Sequence, residues 1–319
     1  MKKILFLFMI FVIILSGGCN NKNKLFLDYN KSNIKNTDNI YPKENLDFFS
    51  KDLIIIPSEY NNGNDESLTS SSSLLINLSD KELIYADNVY TKLYPASLTK
   101  LFTTLVVLKH GELMDNVTIG YNSSNILEPG AKTCGFKEGD IVTLETLLNS
   151  FLVYSGNDAG IAIAEHLAGS EEAFVKLMND EAKNIGALHS NFINPHGLHD
   201  ENHYTSAYDV YLVFNELIKY DVFISIIGQS SYIANYLDKE GNTVEKNFKS
   251  TNGYLNGQIN PIDDLSIIGG KTGYTSKAGN CLVLLSKDKD DKNYISIILN
   301  TNSNEELYSQ MNILLSKTN

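Results

Sequence analysis

The chain has 319 residues, of which 43% are hydrophobic, so it is long enough to bury a sizeable core as one large domain or two small ones. Its formal net charge at pH 7 is -12, and removing the first 18 residues, which hold two lysines and no acid, would make the rest more acidic. Because nucleic-acid binding needs a basic footprint, we expect no nucleic-acid partner.

The first 18 residues have the composition of a secretory signal peptide. Lys2 and Lys3 precede an apolar run at residues 4–15, which is followed by Ser16, two glycines and Cys19. The run is shorter than the ~20 residues of a membrane span. The segment is similar to a bacterial lipoprotein box, although Ser16 stands where that pattern has leucine. We therefore expect a lipidated Cys19 that anchors an exported protein to the outer face of the cytoplasmic membrane; ordinary cleavage and an uncleaved anchor are the alternatives.

Residues 19–69 are rich in Asn, Lys, Asp and Ser and have short apolar patches, which predicts a tether with one strand at residues 53–56. The folded domain is expected over residues 70–319. It begins with a predicted hairpin, formed by strands at residues 73–78 and 82–86.

The remaining elements follow hydrophobic periodicity and capping signals. One helix starts at Ser97 with a buried stripe and ends at Gly111, and further helices are predicted at residues 143–153 and 158–168 and after the cap Ser170. Strands are predicted at residues 265–270, 280–286 and 294–299, followed by a last helix capped by Asn304. This order predicts an α+β fold with an antiparallel sheet covered by helices.

Ser97 and Lys100 are spaced as S-x-x-K, which places a hydroxyl and an amine on one face of a helix. Lys100 can accept the Ser97 proton only when neutral, so the site must lower its pKa by about 3 units. Burial and a second nearby cation both act in that direction, and Lys271 is the candidate cation. Alone, the pattern is more often an ordinary helix surface.

Two further short motifs follow in order. Ser155-Gly156-Asn157 lies at a predicted turn, where the hydroxyl suits proton relay and the amide suits a substrate carbonyl, although Ser, Gly and Asn are also common turn residues. Lys271-Thr272-Gly273 lies on a predicted strand, with Lys271 available for a substrate carboxylate. The Tyr274 and Ser97 N–H groups together suit an oxyanion hole. A solvated edge-strand lysine is the alternative interpretation of Lys271.

A histidine-rich stretch offers a rival hypothesis, a zinc peptidase. The stretch lacks H-E-x-x-H, its spacings fit no usual zinc pattern, and Pro and Gly punctuate it as a loop, so we expect neither metal nor cofactor. Cys134 and Cys281 are two scattered cysteines, for which we expect unpaired thiols. The histidine-rich stretch comprises His189, His196, His199, Asp200 and His203.

Taken together, the three motifs resemble the S-x-x-K, S-x-N and K-T-G set of penicillin-binding proteins and serine β-lactamases. Longer stretches over residues 70–299 are similar to the serine D-alanyl-D-alanine carboxypeptidase family. These stretches are Tyr94–Lys100, Ser155–Ala159, Asn194–Leu198, Thr205–Asp209 and Gly270–Thr275.

The resemblance implies a three-layer αβα sandwich with a central antiparallel sheet, of the β-lactamase/transpeptidase type. It also implies removal of the terminal D-Ala from peptidoglycan stem peptides through an acyl-enzyme on Ser97, with β-lactams as covalent inhibitors. Lys100 is then the general base, and Ser155 and Asn157 handle the proton relay and the substrate amide. Lys271 and Thr275, with Thr272, Gly273 and Tyr274 between them, face the substrate carboxylate. His196 and Asp209 are candidates for supporting groups, and Asp209 is equally well explained as a helix-start residue.

The sequence also departs from the family. Many members carry a second β-rich domain and an amphipathic anchor after K-T-G, whereas the residues after Gly273 predict two strands and one helix. We therefore expect the second domain to be absent and anchoring to have moved to Cys19. D,D-endopeptidase activity, β-lactamase activity and a non-catalytic role in binding wall peptides or β-lactams remain the alternatives. Gly156, in place of the Asp of S-D-N, argues against a β-lactamase.

Overall fold

The computed structural model describes residues 53–57, 65–128 and 130–318. The predicted signal peptide, Cys19 and most of the predicted tether lie outside these residues. In the described part of the chain, no helix is long and apolar enough to cross a membrane.

Along the described chain, strands come first, helices dominate the middle, and strands and one helix follow. The first half contains β1 (Ser72–Asn77), β2 (Glu82–Asp87), α1 (Thr99–His110), β3 (Asn116–Thr118), α2 (Tyr121–Ser124), β4 (Ile141–Thr143), α3 (Leu144–Asn149) and α4 (Asn157–Ala168). The second half contains α5 (Glu171–Asn184), α6 (Ala207–Leu217), α7 (Asp221–Ile227), β5 (Ser231–Leu237), β6 (Thr243–Lys249), β7 (Leu265–Thr275), β8 (Gly279–Asp288), β9 (Asn293–Thr301) and α8 (Asn304–Leu315).

The main sheet has the strand order β2-β1-β9-β8-β7, with antiparallel neighbours throughout. This confirms the predicted hairpin and the three predicted C-terminal strands. Strand β7 extends past its predicted end to Thr275, so the K-T-G motif lies inside it. Because β7 is the last strand in that order, one of its edges is left without a strand neighbour in the sheet.

Alternate residues of the main sheet enter two different cores. Leu74, Val283 and Ile297 belong to the larger cluster, which also contains the buried faces of α1 and α6. Their chain neighbours Leu75 and Leu282 pack with α8 in the second cluster. Since successive strand residues point to opposite faces, helices cover both sides of the sheet, which confirms the three-layer αβα fold.

The last helix begins one residue earlier than the sequence suggested. Its N-cap is Ser303, whose hydroxyl accepts the Glu306 N–H, whereas Asn304 is the first helical residue. Both residues are good N-caps, so composition alone did not separate them. The other predicted cap, Ser170, is confirmed, because its hydroxyl accepts the Ala173 N–H at the start of α5.

A second sheet of the described chain, with the order β3-β4-β5-β6, was not predicted. Its β5–β6 hairpin pairs Tyr232 with Phe248 and Tyr236 with Val244. The predicted helix at residues 143–153 is divided, because α3 ends at Asn149 and a π-helical turn follows at Ser150–Tyr154. This turn delivers Ser155, in the left-handed region at φ 72°, to the sheet edge.

Residues 53–57 form no strand, contrary to the sequence prediction. Their backbone groups bond to side chains instead: the Ile54 N–H donates to the Tyr211 hydroxyl at 3.0 Å, and the Tyr208 hydroxyl donates to the Ile54 carbonyl at 3.2 Å. Ile56 is 2% exposed and joins the larger core. The segment therefore packs as an extended strap along α6.

Replacing Ser303 with Ala should lower the free energy of unfolding by about 1 kcal/mol, because it removes the side-chain acceptor at the start of α8. Urea denaturation followed by circular dichroism measures the change. Asn304→Ala is the matched control and should change it by less than half as much. The reverse order of effects would place the cap at Asn304.

Candidate active site

Ser97 lies in a 3₁₀ turn, Ala96–Leu98, directly before α1. Pro95 enters the turn at φ -76°, and Ala96 adopts φ 47°, a left-handed value that is uncommon for a residue with a side chain. The Thr99 hydroxyl closes the turn by donating to the Ala96 carbonyl at 2.8 Å. The serine is therefore presented by a fixed backbone corner rather than by a regular helical turn.

Strand β7 lies directly against this corner. A Cβ on Gly273 would be 2.9 Å from the Pro95 carbonyl oxygen and 3.2 Å from the Ser97 nitrogen, both closer than normal van der Waals contact. Any side chain at this position would push the strand away from the serine. The glycine of K-T-G therefore allows the close approach of β7 and Ser97.

The Lys100 amine is buried and makes three polar contacts. It lies 2.7 Å from Asn157 Oδ1, 2.6 Å from the His196 carbonyl oxygen and 3.3 Å from Ser97 Oγ. Burial, followed by repulsion from Lys271, holds the pKa of Lys100 well below its usual range. A neutral amine has two N–H bonds, which the first two acceptors can use. Its lone pair is then free to face Ser97 Oγ.

Ser155 connects Ser97 to a second buried lysine. Its hydroxyl donates to Ser97 Oγ at 3.0 Å, and Lys271 Nζ donates to Ser155 Oγ at 3.0 Å. Burial, with a smaller contribution from Lys132, lowers the pKa of Lys271 to about 7. The structure thus brings five residues into one hydrogen-bonded chain, in the order Asn157, Lys100, Ser97, Ser155 and Lys271.

Gly156 and Cys134 are fitted to each other. A Cβ on Gly156 would lie 2.2 Å from Cys134 Sγ and 2.8 Å from Asp158 Oδ1. Asp158 holds the same loop through its side chain, which accepts the N–H groups of Cys134 and Gly135, each at 2.8 Å. The Cys134 thiol is buried and unpaired, as is Cys281, which confirms the expectation of free thiols. Cys134 therefore occupies the space that Gly156 leaves open.

The remaining residues of β7 line the cleft in front of Ser97. The Thr272 hydroxyl lies 2.6 Å from that of Thr251, and the Thr275 hydroxyl accepts the Ala278 N–H at 3.0 Å. Tyr274 is 66% exposed at the rim. The cleft has a volume of about 1150 Å³ and also contains Ser155, Asn157 and His196 in its walls.

The two candidate supporting residues have different surroundings. His196 is buried in the cleft wall, and its Nδ1 accepts the Leu198 N–H at 3.2 Å, which leaves Nε2 to carry the proton. Asp209 lies at the start of α6, where it accepts the His189 N–H and the Ser190 hydroxyl, each at 2.7 Å. Asp209 does not line the cleft, so its contacts fit the helix-start interpretation better.

The other histidines are dispersed. His203 bonds to the Thr99 hydroxyl at 2.7 Å, and burial lowers its pKa to about 4. His199 packs edge-on against Tyr94, and His189 stacks on Tyr90. Among the described residues, no group of three or more His, Cys, Asp or Glu side chains is arranged to hold a metal ion.

Three charged residues of the cleft were missed by the sequence analysis: Glu128, Lys132 and Glu171. Glu171, in the first turn of α5, places its Oε2 3.8 Å from His196 Nε2, and its pKa is raised by burial and by nearby carboxylates. Lys132 lines the wall near Ser155. None of the three belongs to a motif, and a helix start favours acids such as Glu171 regardless of function.

A family model described as D-alanyl-D-alanine carboxypeptidase matches residues 59–303. The chain belongs to this family. It is 32% identical over 249 residues to D-alanyl-D-alanine carboxypeptidase DacF of Bacillus subtilis, covering 76% of this chain and 60% of that protein. It is 31% identical over 238 residues to DacA of Haemophilus influenzae, covering 73% of this chain and 57% of that protein. This chain therefore spans somewhat less than two thirds of the length of these relatives.

Solved structures show the same fold. A mutant of the Streptomyces K15 DD-transpeptidase superposes with a TM-score of 0.72 at 25% identity, covering 78% of this chain and 97% of that one. Penicillin binding protein 5 from Haemophilus influenzae gives a TM-score of 0.69 at 28% identity, covering 78% of this chain and 70% of that one. The β-lactamase/transpeptidase type of fold expected from the motifs is thereby confirmed.

Gly156→Ala should lower the free energy of unfolding by about 2 kcal/mol, because its Cβ would overlap Cys134 Sγ. When Cys134→Ala is added to that variant, part of the lost free energy of unfolding should be recovered. The change in the double variant is then smaller than the sum of the two single changes. Thermal denaturation of the three variants measures this coupling. Simple additivity would show that the two residues are not fitted to each other.

Lys271 should make the protein more stable as the pH rises from 7 to 10. In this pH interval Lys271 is largely neutral in the folded state, where its pKa is about 7, but it remains protonated in the unfolded state, where it has its usual pKa. The unfolded state thus holds more protons across this interval, and the free energy of unfolding increases by up to about 4 kcal/mol. Urea denaturation should show a flatter profile for Lys271→Met than for wild type. Parallel profiles would contradict the lowered pKa.

Proposed function

We propose that this chain is a serine D,D-carboxypeptidase that removes the terminal D-Ala from peptidoglycan stem peptides through an acyl-enzyme on Ser97. The observation that carries the proposal is the position of the Ser97 hydroxyl between two buried lysines of lowered pKa, one reached directly and one through Ser155. The family relationship supports the substrate class, since the curated relatives are named as D-alanyl-D-alanine carboxypeptidases.

In the acylation step, Ser97 Oγ attacks the carbonyl carbon of the penultimate D-Ala while its proton passes to neutral Lys100 Nζ. The Tyr274 and Ser97 N–H groups stabilise the negative charge that develops on the carbonyl oxygen. The carbon–nitrogen bond then breaks, Ser155 gives its proton to the leaving amine, and Ser155 regains a proton from Lys271. Water then attacks the resulting ester and gives a proton back to Lys271 through Ser155. Lys100 returns its proton to Ser97 Oγ as the shortened peptide leaves, which restores the starting state.

The substrate groups have complementary partners in the cleft. Lys271, Thr272 and Thr275 on β7 offer a cation and two hydroxyls to the terminal carboxylate. Asn157, whose Oδ1 lies 2.7 Å from Lys100 Nζ, has the side-chain amide that would hold the acyl part of the peptide. β-Lactams, which carry a carboxylate beside a strained amide, are the covalent inhibitors expected of this arrangement. Metal and cofactor have no part in these steps.

The proposal includes the location of the enzyme. Residues 1–18 are a lipoprotein-type signal peptide, residues 19–69 are a tether, and residues 70–319 are the catalytic domain, held at the outer face of the cytoplasmic membrane by a lipid on Cys19. Cys19→Ser should move the protein from the membrane fraction to the soluble exported fraction. Retention in the membrane would argue for an uncleaved anchor.

Two alternatives on the same site have specific support. A D-alanyl-D-alanine endopeptidase of Escherichia coli is 28% identical to this chain over 218 residues, which cover 68% of this chain and 67% of that protein. Incubation with a crosslinked muropeptide dimer separates the activities, because an endopeptidase yields monomers and a carboxypeptidase releases only alanine. Glu171, a carboxylate in the cleft, is the observation that favours a β-lactamase. Rapid consumption of penicillin without a lasting adduct would establish that activity.

Ser97→Ala should abolish both the penicillin adduct and alanine release from a peptide that ends in D-Ala-D-Ala, because no other group replaces the attacking oxygen. Intact mass spectrometry of the purified full-length chain follows both reactions. Wild type should gain the mass of one penicillin, and the peptide should lose one alanine. Ser309→Ala, a change on α8 outside the cleft, serves as the control. Continued alanine release by Ser97→Ala would refute the mechanism.

A further inference from the structure

Lys132 is a solvent-exposed cation in the wall of the cleft. Its ammonium lies 4.0 Å from the centre of the Tyr154 ring, a distance typical of a cation–π contact. The cleft contains Glu128, Glu171 and Asp200 as well, yet among the described residues none of these carboxylates lies within ion-pair distance of Lys132. The ring contact occupies one side of an ammonium that has three N–H donors, so the ammonium retains the capacity to bind an anion.

The backbone of Lys132 ties it to the second motif. Its carbonyl oxygen accepts the Asn157 N–H at 2.7 Å, and Tyr154, on which its side chain rests, directly precedes Ser155. Lys132 therefore belongs to the wall formed by Ser155 and Asn157, whereas the terminal carboxylate is assigned to Lys271 and Thr275 on β7. An anion bound by Lys132 would accordingly lie on the acyl side of the scissile bond.

The charges around the serine also favour an anion here. Lys132 contributes repulsion to both Lys100 and Lys271, and its own pKa is lowered by burial. The cleft thus concentrates three lysines in a chain whose formal net charge is -12. A ligand carboxylate at Lys132 would replace the missing counter-ion and reduce this repulsion.

We propose that Lys132 is a specificity residue that binds a carboxylate on the acyl side of the substrate, next to the amide held by Asn157. The proposal rests on the proposed function, since it takes acylation of Ser97 as given. It adds a substrate class: peptides and β-lactams that carry a second carboxylate besides the one facing Lys271.

Benzylpenicillin and carbenicillin form a matched pair of probes, because they differ only by a carboxylate on the acyl side chain. The second-order rate of Ser97 acylation by each, followed by mass spectrometry of the full-length chain, gives a carbenicillin-to-benzylpenicillin ratio. Lys132→Gln should lower this ratio about tenfold, and Lys132→Arg should keep it near the wild-type value. Because the ratio cancels general damage to the site, a purely structural role would not change it.

Lys92 provides the control, since its ammonium also lies over an aromatic ring, that of Tyr204 at 4.4 Å, but outside this cleft. Lys92→Gln should leave the ratio unchanged. An unchanged ratio in Lys132→Gln, with normal acylation by benzylpenicillin, would overturn the role of Lys132 and leave the proposed function intact. Failure of both penicillins to acylate wild-type Ser97 would overturn both.

Discussion

The burial of two lysine amines beside one serine is the constraint on which the rest of the structure depends. Each amine would be protonated in water, and burying both charges beside one serine is unfavourable. The site resolves the conflict by lowering the pKa of both groups, so that Lys100 can be neutral while Lys271 titrates near neutrality. The burial of two amines beside one serine is an electrostatic strain, because it is unfavourable in itself, and the packing of the surrounding fold must maintain it.

The fold maintains this strain through close packing of three distant segments. The Ser97 corner, the π-helical turn before Ser155 and strand β7 meet where the backbone has little room, as the contacts of Gly156 and Gly273 show. Asp158 fixes the loop that carries Cys134, and the Thr99 hydroxyl links the serine corner to buried His203. Since the cores on both sides of the sheet hold these segments, the lysines cannot move apart to regain water.

Neutral and charged groups divide the cleft into distinct regions. The hydroxyls of Thr272 and Thr275 line the β7 wall, Lys132 rests on Tyr154 beside the second motif, and Glu171 faces His196 at the start of α5. A peptide bound across these regions would meet a different chemistry at each position. Such a division allows one reaction centre to discriminate among substrates without changing its catalytic groups.

The sequence by itself determined the family, the N-terminal hairpin and the C-terminal strands, and the five residues that form the hydrogen-bonded chain through Ser97. These followed from short motifs whose residue types the chemistry demands, and from periodic apolar runs that satisfy one face of a helix or strand. Only the tertiary structure decided the cap at Ser303, the second sheet, the strap at residues 53–57, the fit of Cys134 to Gly156, and the presence of Lys132 and Glu171 in the cleft. The cap was a choice between two neighbouring residues that are equally good N-caps. The others depend on contacts between residues far apart in the chain, which local propensity does not encode.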